Sequence, residues 1–199
     1  MTVRAVLFDL DGVLVFSKEV WFELIKAAAA HFGAAPASRA QFEGAWGQGI
    51  HADVEQFFPK STLAEVEAFY HTHFLDHVAH IGVEPNAAPV FAALHKAGVA
   101  TAVVTNTPAG SAATMLAHAG LKPHTVVGGT DVPHAKPAPD MVLLALKTLA
   151  ISPPEALMVG DTRFDREAAQ AAGVPFVGYR LPGPDNIEEL EEILAHAGV

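Results

Sequence analysis

Three times from about Pro85 onward, a segment of helical period ends on an Ala-Gly pair and gives way to a short β-rich run. The pairs are Ala97-Gly98 before VATAVVT, Ala119-Gly120 before LKPHTVVGG, and Ala172-Gly173 before VPFVGY. Glycine accepts the left-handed backbone that closes a helix, so each pair marks a stop and the repeated order is helix, stop, strand. Alternation of this kind builds a parallel sheet, because parallel neighbours need a crossover and a helix supplies it. The pattern predicts strands from Ala5 to Phe8, Thr101 to Thr105, Thr125 to Val127, Leu157 to Val159 and Phe176 to Gly178.

Residues 17 to 81 break that rhythm. Ser17 stands where it can cap a helix whose apolar positions Trp21, Leu24, Ile25, Ala28 and Phe32 follow the helical period, and Gly33 can stop it. Further helical stretches are expected from Ser38 to Ala45, Ala52 to Phe58 and Thr62 to His80, with no strand between them. The expected fold is α/β: a parallel sheet with helices on both faces, formed by residues 1–16 and 82–199, and a small all-helical cap, residues 17–81, inserted after the first strand. Val15 to Ser17 and Ile81 to Pro85 are the natural hinges. Near the end, Asn186 followed by Ile187, Glu188 and Glu189 reads as a capped helix start with acids in its first turn.

Composition narrows the function. With 199 residues, 51% of them hydrophobic, the chain can bury one good core and a small second one. A formal charge of −10 leaves no basic stripe for a phosphate backbone, which argues against a nucleic-acid partner. The absence of cysteine excludes a disulfide scaffold, a thiolate nucleophile and Cys-based zinc sites. No run reaches the length of about 18 uncharged apolar residues that a membrane span needs, and Asp9 and Asp11 interrupt what could have been a signal-peptide core. A cytoplasmic protein that is a monomer or homodimer, acting on a small molecule and not on a membrane, is expected.

In an open parallel sheet, ligands bind beyond the carboxyl ends of the strands. There the sequence places Asp9 and Asp11 after the first strand, in VRAVLFDLDGVLV, Thr105 and Asn106 after VATAVV, and Asp161 after ALMVG. Two carboxylates about 5 Å apart repel by about 3 kcal/mol at an effective dielectric of about 20, and a divalent cation is the usual remedy. Three carboxylates and a backbone carbonyl form a hard oxygen site suited to Mg²⁺. Thr105 offers a hydroxyl, amides at the following helix start can hold an anion, and Lys136 in HAKPAPD can supply a positive charge. Together these groups form a site for a phosphoryl group.

With DLDGV at 9–13, TN at 105–106, KPAPD at 136–140 and GDTRFD at 160–165 in the expected order, the sequence resembles the haloacid dehalogenase superfamily. It is most similar to the branch with a helical cap after the first strand, which includes phosphoglycolate phosphatases and β-phosphoglucomutase-like proteins. The resemblance spans nearly the whole chain and implies a Rossmann-like core. It implies that Asp9 attacks phosphorus and forms an aspartyl-phosphate, while Asp11 protonates the leaving oxygen and then deprotonates water. It also implies Mg²⁺ on the Asp9 carboxylate, the Asp11 carbonyl and Asp161. Thr105, the Asn106 amide and Lys136 would hold the transferring oxygens, with Asp165 orienting Lys136 or a metal-bound water. Hydrolysis of a small-molecule phosphate monoester is the expected reaction.

Two positions depart from the family pattern. Phe16 stands where many relatives carry an acid, and Trp21 stands where the sugar-phosphate mutases of this branch carry a histidine, which counts against the alternative of mutase chemistry. A receiver-type phospho-acceptor module, the alternative from another class, is opposed by the helical insert and by an acceptor on the first strand. Substrate contacts are sought in the cap loop WGQGIH, where Gln48, Ile50 and His51 are candidates, and Lys18, Arg39 and Lys60 are the other cap cations. His73, His77 and His80 share a helical spacing, with His71 close by, but no carboxylate completes a metal set and a titratable surface explains them. His134, two residues before Lys136, reads as a loop residue. The insert's aromatics Trp21, Phe22, Phe32, Phe42, Trp46, Phe57 and Phe58 read as a small core.

Overall fold

The computed structural model describes residues 2–77, 81–183 and 186–199. The chain enters on β1 (Ala5–Phe8), turns into β2 (Val15–Phe16), and then runs through four helices, α1 (Lys18–Phe32), α2 (Arg39–Ala45), α3 (Ile50–Phe57) and α4 (Leu63–His73). It returns on β3 (Gly82–Val83) and continues as α5 (Ala87–Lys96), β4 (Ala100–Thr105), α6 (Ala109–Ala119) and β5 (Thr125–Gly128). The last part holds α7 (Asp140–Leu149), β6 (Ala156–Gly160), α8 (Arg163–Ala172), β7 (Phe176–Tyr179), β8 (Asn186–Ile187) and α9 (Ile193–Ala197). Six strands form one sheet in the order β5-β4-β1-β6-β7-β8, every neighbouring pair parallel. This is a Rossmann-like α/β fold, as the Ala-Gly pattern requires, and Gly120 and Gly173 close α6 and α8 in the left-handed conformation.

β1 lies at the centre of the sheet and is buried on both faces, which is why AVLF is apolar throughout. Val6 and Phe8 point to a cluster with Val90, Phe91 and Leu94 of α5 and Met115 of α6. Ala5 and Leu7 point the other way, to Met141, Val142 and Ala145 of α7 and Ala168 and Ala169 of α8. Burial of a Leu or Phe side chain contributes about 2 kcal/mol, so the strand that carries the Asp9 region is anchored on both faces. The first cluster continues into the insert through Leu24, Ile25, Phe42, Phe58 and Val66.

The expected hinges form a two-stranded antiparallel ribbon, Val15 opposite Val83 and Phe16 opposite Gly82, which periodicity could not reveal in segments of two residues. α4 ends at His73 and passes into a 3-10 turn, Phe74–Asp76, instead of running on to His80, which lies outside the described residues. Asn186 is not a helix cap: Asn186 and Ile187 pair with Gly178 and Tyr179 as the edge strand β8. The exposed edge of β7 needs backbone partners, and Ile187 becomes buried by supplying them. The helix begins only at Ile193, after Glu192 has accepted hydrogen bonds from the backbone of Glu188 and Glu189. Among the described residues no helix is long and apolar enough to cross a membrane.

Candidate active site

The carboxyl ends of β1, β4 and β6 bring the dispersed acids together. Oxygens of Asp9, Asp161 and Asp165 all lie within 4.8 Å of one another. Lys136 projects into this group: its Nζ forms an ion pair with Asp9 Oδ1 at 2.8 Å and donates to Asp165 Oδ1 at 2.6 Å and to the Val104 carbonyl at 2.9 Å. The ammonium is thereby held between two carboxylates in a buried site. Burial opposes the Lys136 charge, but Asp165 and Asp9 outweigh it and hold the ammonium above its ordinary pKa. Burial, with Asp165 next, pushes the Asp9 carboxyl well above the usual range against the pull of Lys136.

Asp165 has two tasks, and its position in the chain explains both. It is the third residue of α8, where its Oδ2 accepts from the Thr162 backbone at 3.0 Å and completes a capping box, while Oδ1 holds Lys136. Gly160 makes the close approach possible, since a Cβ there would lie 2.3 Å from that of Asp165. Of the two roles expected for Asp165, the structure shows the contact to Lys136.

Asp11 is held by four donors. Its Oδ1 accepts from Ser17 Oγ and, at 2.8 Å, from Trp21 Nε1; its Oδ2 accepts from Thr107 Oγ1 at 2.6 Å and Thr105 Oγ1 at 3.3 Å. Ser17 therefore does not cap α1 with its side chain as expected; the carboxylate of Asp11 claims the hydroxyl. Thr107, Ser17 and Trp21 were not legible as neighbours of Asp11, because α1 and the loop after β4 carry them.

The Asn106 side chain acts as a staple. Its amide nitrogen donates to the carbonyls of Gly47 at 2.8 Å and Lys136 at 2.9 Å, and its oxygen accepts from Lys136 N at 2.8 Å. It thus ties the insert's loop and the lysine loop to the end of β4.

A divalent cation fits the acids. Asp161 Oδ1 is buried without a hydrogen-bond partner, and burial followed by Asp165 pushes that carboxyl up to about 7 despite the Trp46 indole at 3.5 Å. Gly12, at φ +85°, makes room: a Cβ there would sit 2.1 Å from Asp161 Oδ2. Crowded carboxylates with an orphaned oxygen are what a hard cation relieves.

A pocket opens from Asp9, Asp11 and Thr105 toward the insert, walled by Trp21, Ile25, Phe42, Trp46, Ile50 and Tyr70. Of the seven aromatics expected to form a small core, Trp21, Phe42 and Trp46 also face the site. Gln48 lines the pocket, but its amide nitrogen is turned to Asp53 at 2.8 Å and Gln56 at 3.1 Å. His51 is exposed and absent from the lining; its neighbour Ile50 occupies the wall, because adjacent helical residues face about 100° apart. His134 pairs with Asp140 at 3.0 Å, and His73 pairs with Asp76 at 3.0 Å.

Fold and site together define an enzyme of the phosphoric monoester hydrolase class. The sequence model of the haloacid dehalogenase-like hydrolases matches residues 6–179, and the chain belongs to that family. It is 31% identical over 191 residues to a phosphoglycolate phosphatase of Cupriavidus necator, covering 90% of this chain and 83% of that protein. A phosphoglycolate phosphatase of Rhodospirillum rubrum is 32% identical over 188 residues, covering 87% and 78%. Among solved structures, a haloacid dehalogenase superfamily hydrolase of Geobacter sulfurreducens superposes with a TM-score of 0.81 at 28% identity, covering 98% and 100% of the two chains. CbbY of Rhodobacter sphaeroides in complex with phosphate has a TM-score of 0.85 at 23% identity with both chains fully covered, a likeness of fold.

Proposed function

We propose that this enzyme is a Mg²⁺-dependent phosphatase that hydrolyses a small-molecule phosphate monoester through an aspartyl-phosphate on Asp9. The observation that carries the reading is Lys136 Nζ, 2.8 Å from Asp9 Oδ1 in a buried site. The ammonium lies where it can neutralise phosphoryl oxygens as Asp9 attacks, and Asp165 on its other side keeps it aimed. Asp9, Asp161 and the Asp11 backbone carbonyl would hold the cation, which when bound supplies charge neutralisation for both the nucleophile and the phosphoryl group.

Asp11 performs the proton transfers. It gives a proton to the leaving oxygen during attack and takes one from water when Asp9 is released. Its four donors fix where the carboxylate stands, and the hydroxyls of Thr105 and Thr107 can turn from Asp11 to incoming phosphoryl oxygens. The insert, residues 17–81, forms the roof of the pocket and excludes bulk water from the reacting centre, while residues 1–16 and 82–199 form the catalytic core.

The test is release of phosphate from a generic aryl phosphate with Mg²⁺, run beside Asp9→Asn. The wild type turns over and the variant stays at background while keeping the native circular dichroism. Substantial turnover by the variant would remove Asp9 as the nucleophile.

A further inference from the structure

The pocket above Asp9 carries one carboxyl group on the side of the insert, that of Asp53. Asp53 of α3 lines the cavity together with the aromatic wall, and among the described lining residues there is no lysine or arginine. Two cations of the insert lie near the pocket without lining it. Arg39 forms a two-pronged pair with Glu19 at 2.7 and 2.8 Å and lies over the Phe22 ring, and Lys18 is an exposed residue over the Trp46 ring. Lys136 is buried beneath the pocket lining between Asp9 and Asp165.

Asp53 accepts from Gln48 Nε2 at 2.8 Å and from the Tyr70 hydroxyl at 3.3 Å. A carboxylate has about four acceptor positions, so about two remain for a ligand. The donors of Gln48 are spent on Asp53 and Gln56, which leaves the insert side of the pocket presenting acceptors and aromatic faces. Burial resists the charge on Asp53, so the group gains most from a ligand that brings donors or a positive charge. A ligand carboxylate would place a second anion beside it in a pocket lined by no lysine or arginine.

We propose that Asp53 selects the leaving group: the phosphate ester carries hydrogen-bond donors on its alcohol, hydroxyl or ammonium, and carboxylated esters such as phosphoglycolate are poor substrates. The proposal rests on the phosphatase reading and sharpens it, since the relatives named above are phosphoglycolate phosphatases. The aromatic wall suits an ammonium through cation–π attraction and the carbon face of a polyol through apolar contact.

The experiment compares kcat/KM of the full chain with Mg²⁺ at a pH of about 8, where free carboxylates are ionised. The substrates are phosphoethanolamine, glycerol phosphate, phosphoglycolate and propyl phosphate, with an aryl phosphate to report hydrolysis as such. Either donor-bearing ester is expected to exceed both phosphoglycolate and propyl phosphate by about tenfold or more, and Asp53→Asn is expected to shrink its ratio to phosphoglycolate by about tenfold. Phosphoethanolamine leading identifies an ammonium donor and glycerol phosphate leading a hydroxyl; both uphold the proposal. Phosphoglycolate or propyl phosphate matching them overturns it, as does an unchanged ratio in Asp53→Asn. The wild-type comparison stands even if that variant fails to fold. Aryl phosphate turnover alongside preferred phosphoglycolate would sink the selectivity and leave the phosphatase standing; no turnover of any ester would remove both.

Discussion

The indole Nε1 of Trp21 lies 2.8 Å from Oδ1 of Asp11, a hydrogen bond that joins the first helix of the insert to a carboxylate beyond the central strand. A hydrogen bond to a charged acceptor contributes about 1.5–3 kcal/mol. The same ring packs on Tyr70 and Phe74, at centroid distances of 5.5 and 5.4 Å, so its orientation is fixed by the packing of the insert.

Trp21→Phe is expected to lower kcat on an aryl phosphate by about tenfold, with the fold unchanged by circular dichroism. Trp21→His, which keeps a ring donor, should fall between the two. Steady-state kinetics of the three proteins decide it: equal kcat in all would show that Ser17, Thr105 and Thr107 position Asp11 without the indole.

Gly12→Ala is expected to abolish Mg²⁺-dependent behaviour. Its Cβ would overlap Asp161 Oδ2, and its φ of +85° is strained for alanine. Thermal denaturation with increasing Mg²⁺ should raise the Tm of the wild type and leave that of the variant unmoved, and EDTA should stop wild-type turnover. Activity that persists after thorough chelation would contradict the metal assignment.

Asp53 makes stability depend on pH with a definite sign. Burial lifts its carboxyl from 3.8 to about 7, against the downward pull of Gln48 and Tyr70. Between these values the folded chain holds a proton that the unfolded chain has released, so stability falls as pH rises through the window. Melting curves from pH about 4 to about 8 should show a smaller decline for Asp53→Asn than for the wild type. Parallel curves would mean that the carboxyl is not held up by burial.

Tyr179→Phe is expected to cost about 1–3 kcal/mol, or a fall in Tm of several degrees. The tyrosine hydroxyl donates to Glu84 Oε2 at 2.8 Å, and both residues are buried. The remaining support for Glu84 is the Asn86 amide at 3.2 Å on its other oxygen and Arg180 at 3.9 Å. A Tm within one degree or so of the wild type would show that these, or water, satisfy Glu84 without the hydroxyl.

The strands could be drawn from the chain because each is a short apolar run, three of them after a glycine stop, and the structure lengthens four of the five by only one or two residues. The β2–β3 ribbon and β8 could not be drawn: two-residue strands carry no period, and local acids at Glu188 and Glu189 favoured a helix until the open edge of β7 took Asn186 and Ile187 into the sheet.

The sequence by itself determined the parallel core, the helical insert and the acids beyond the strand ends, because these follow from periodicity, from glycine stops and from what an open sheet does with its carboxyl edge. Only the tertiary structure decided what those acids touch. Trp21 on Asp11, Lys136 between Asp9 and Asp165, and Asp53 in the wall of the pocket are contacts between segments remote along the chain. Such contacts are fixed by the packing of buried side chains across elements, and local sequence carries no record of which elements will meet.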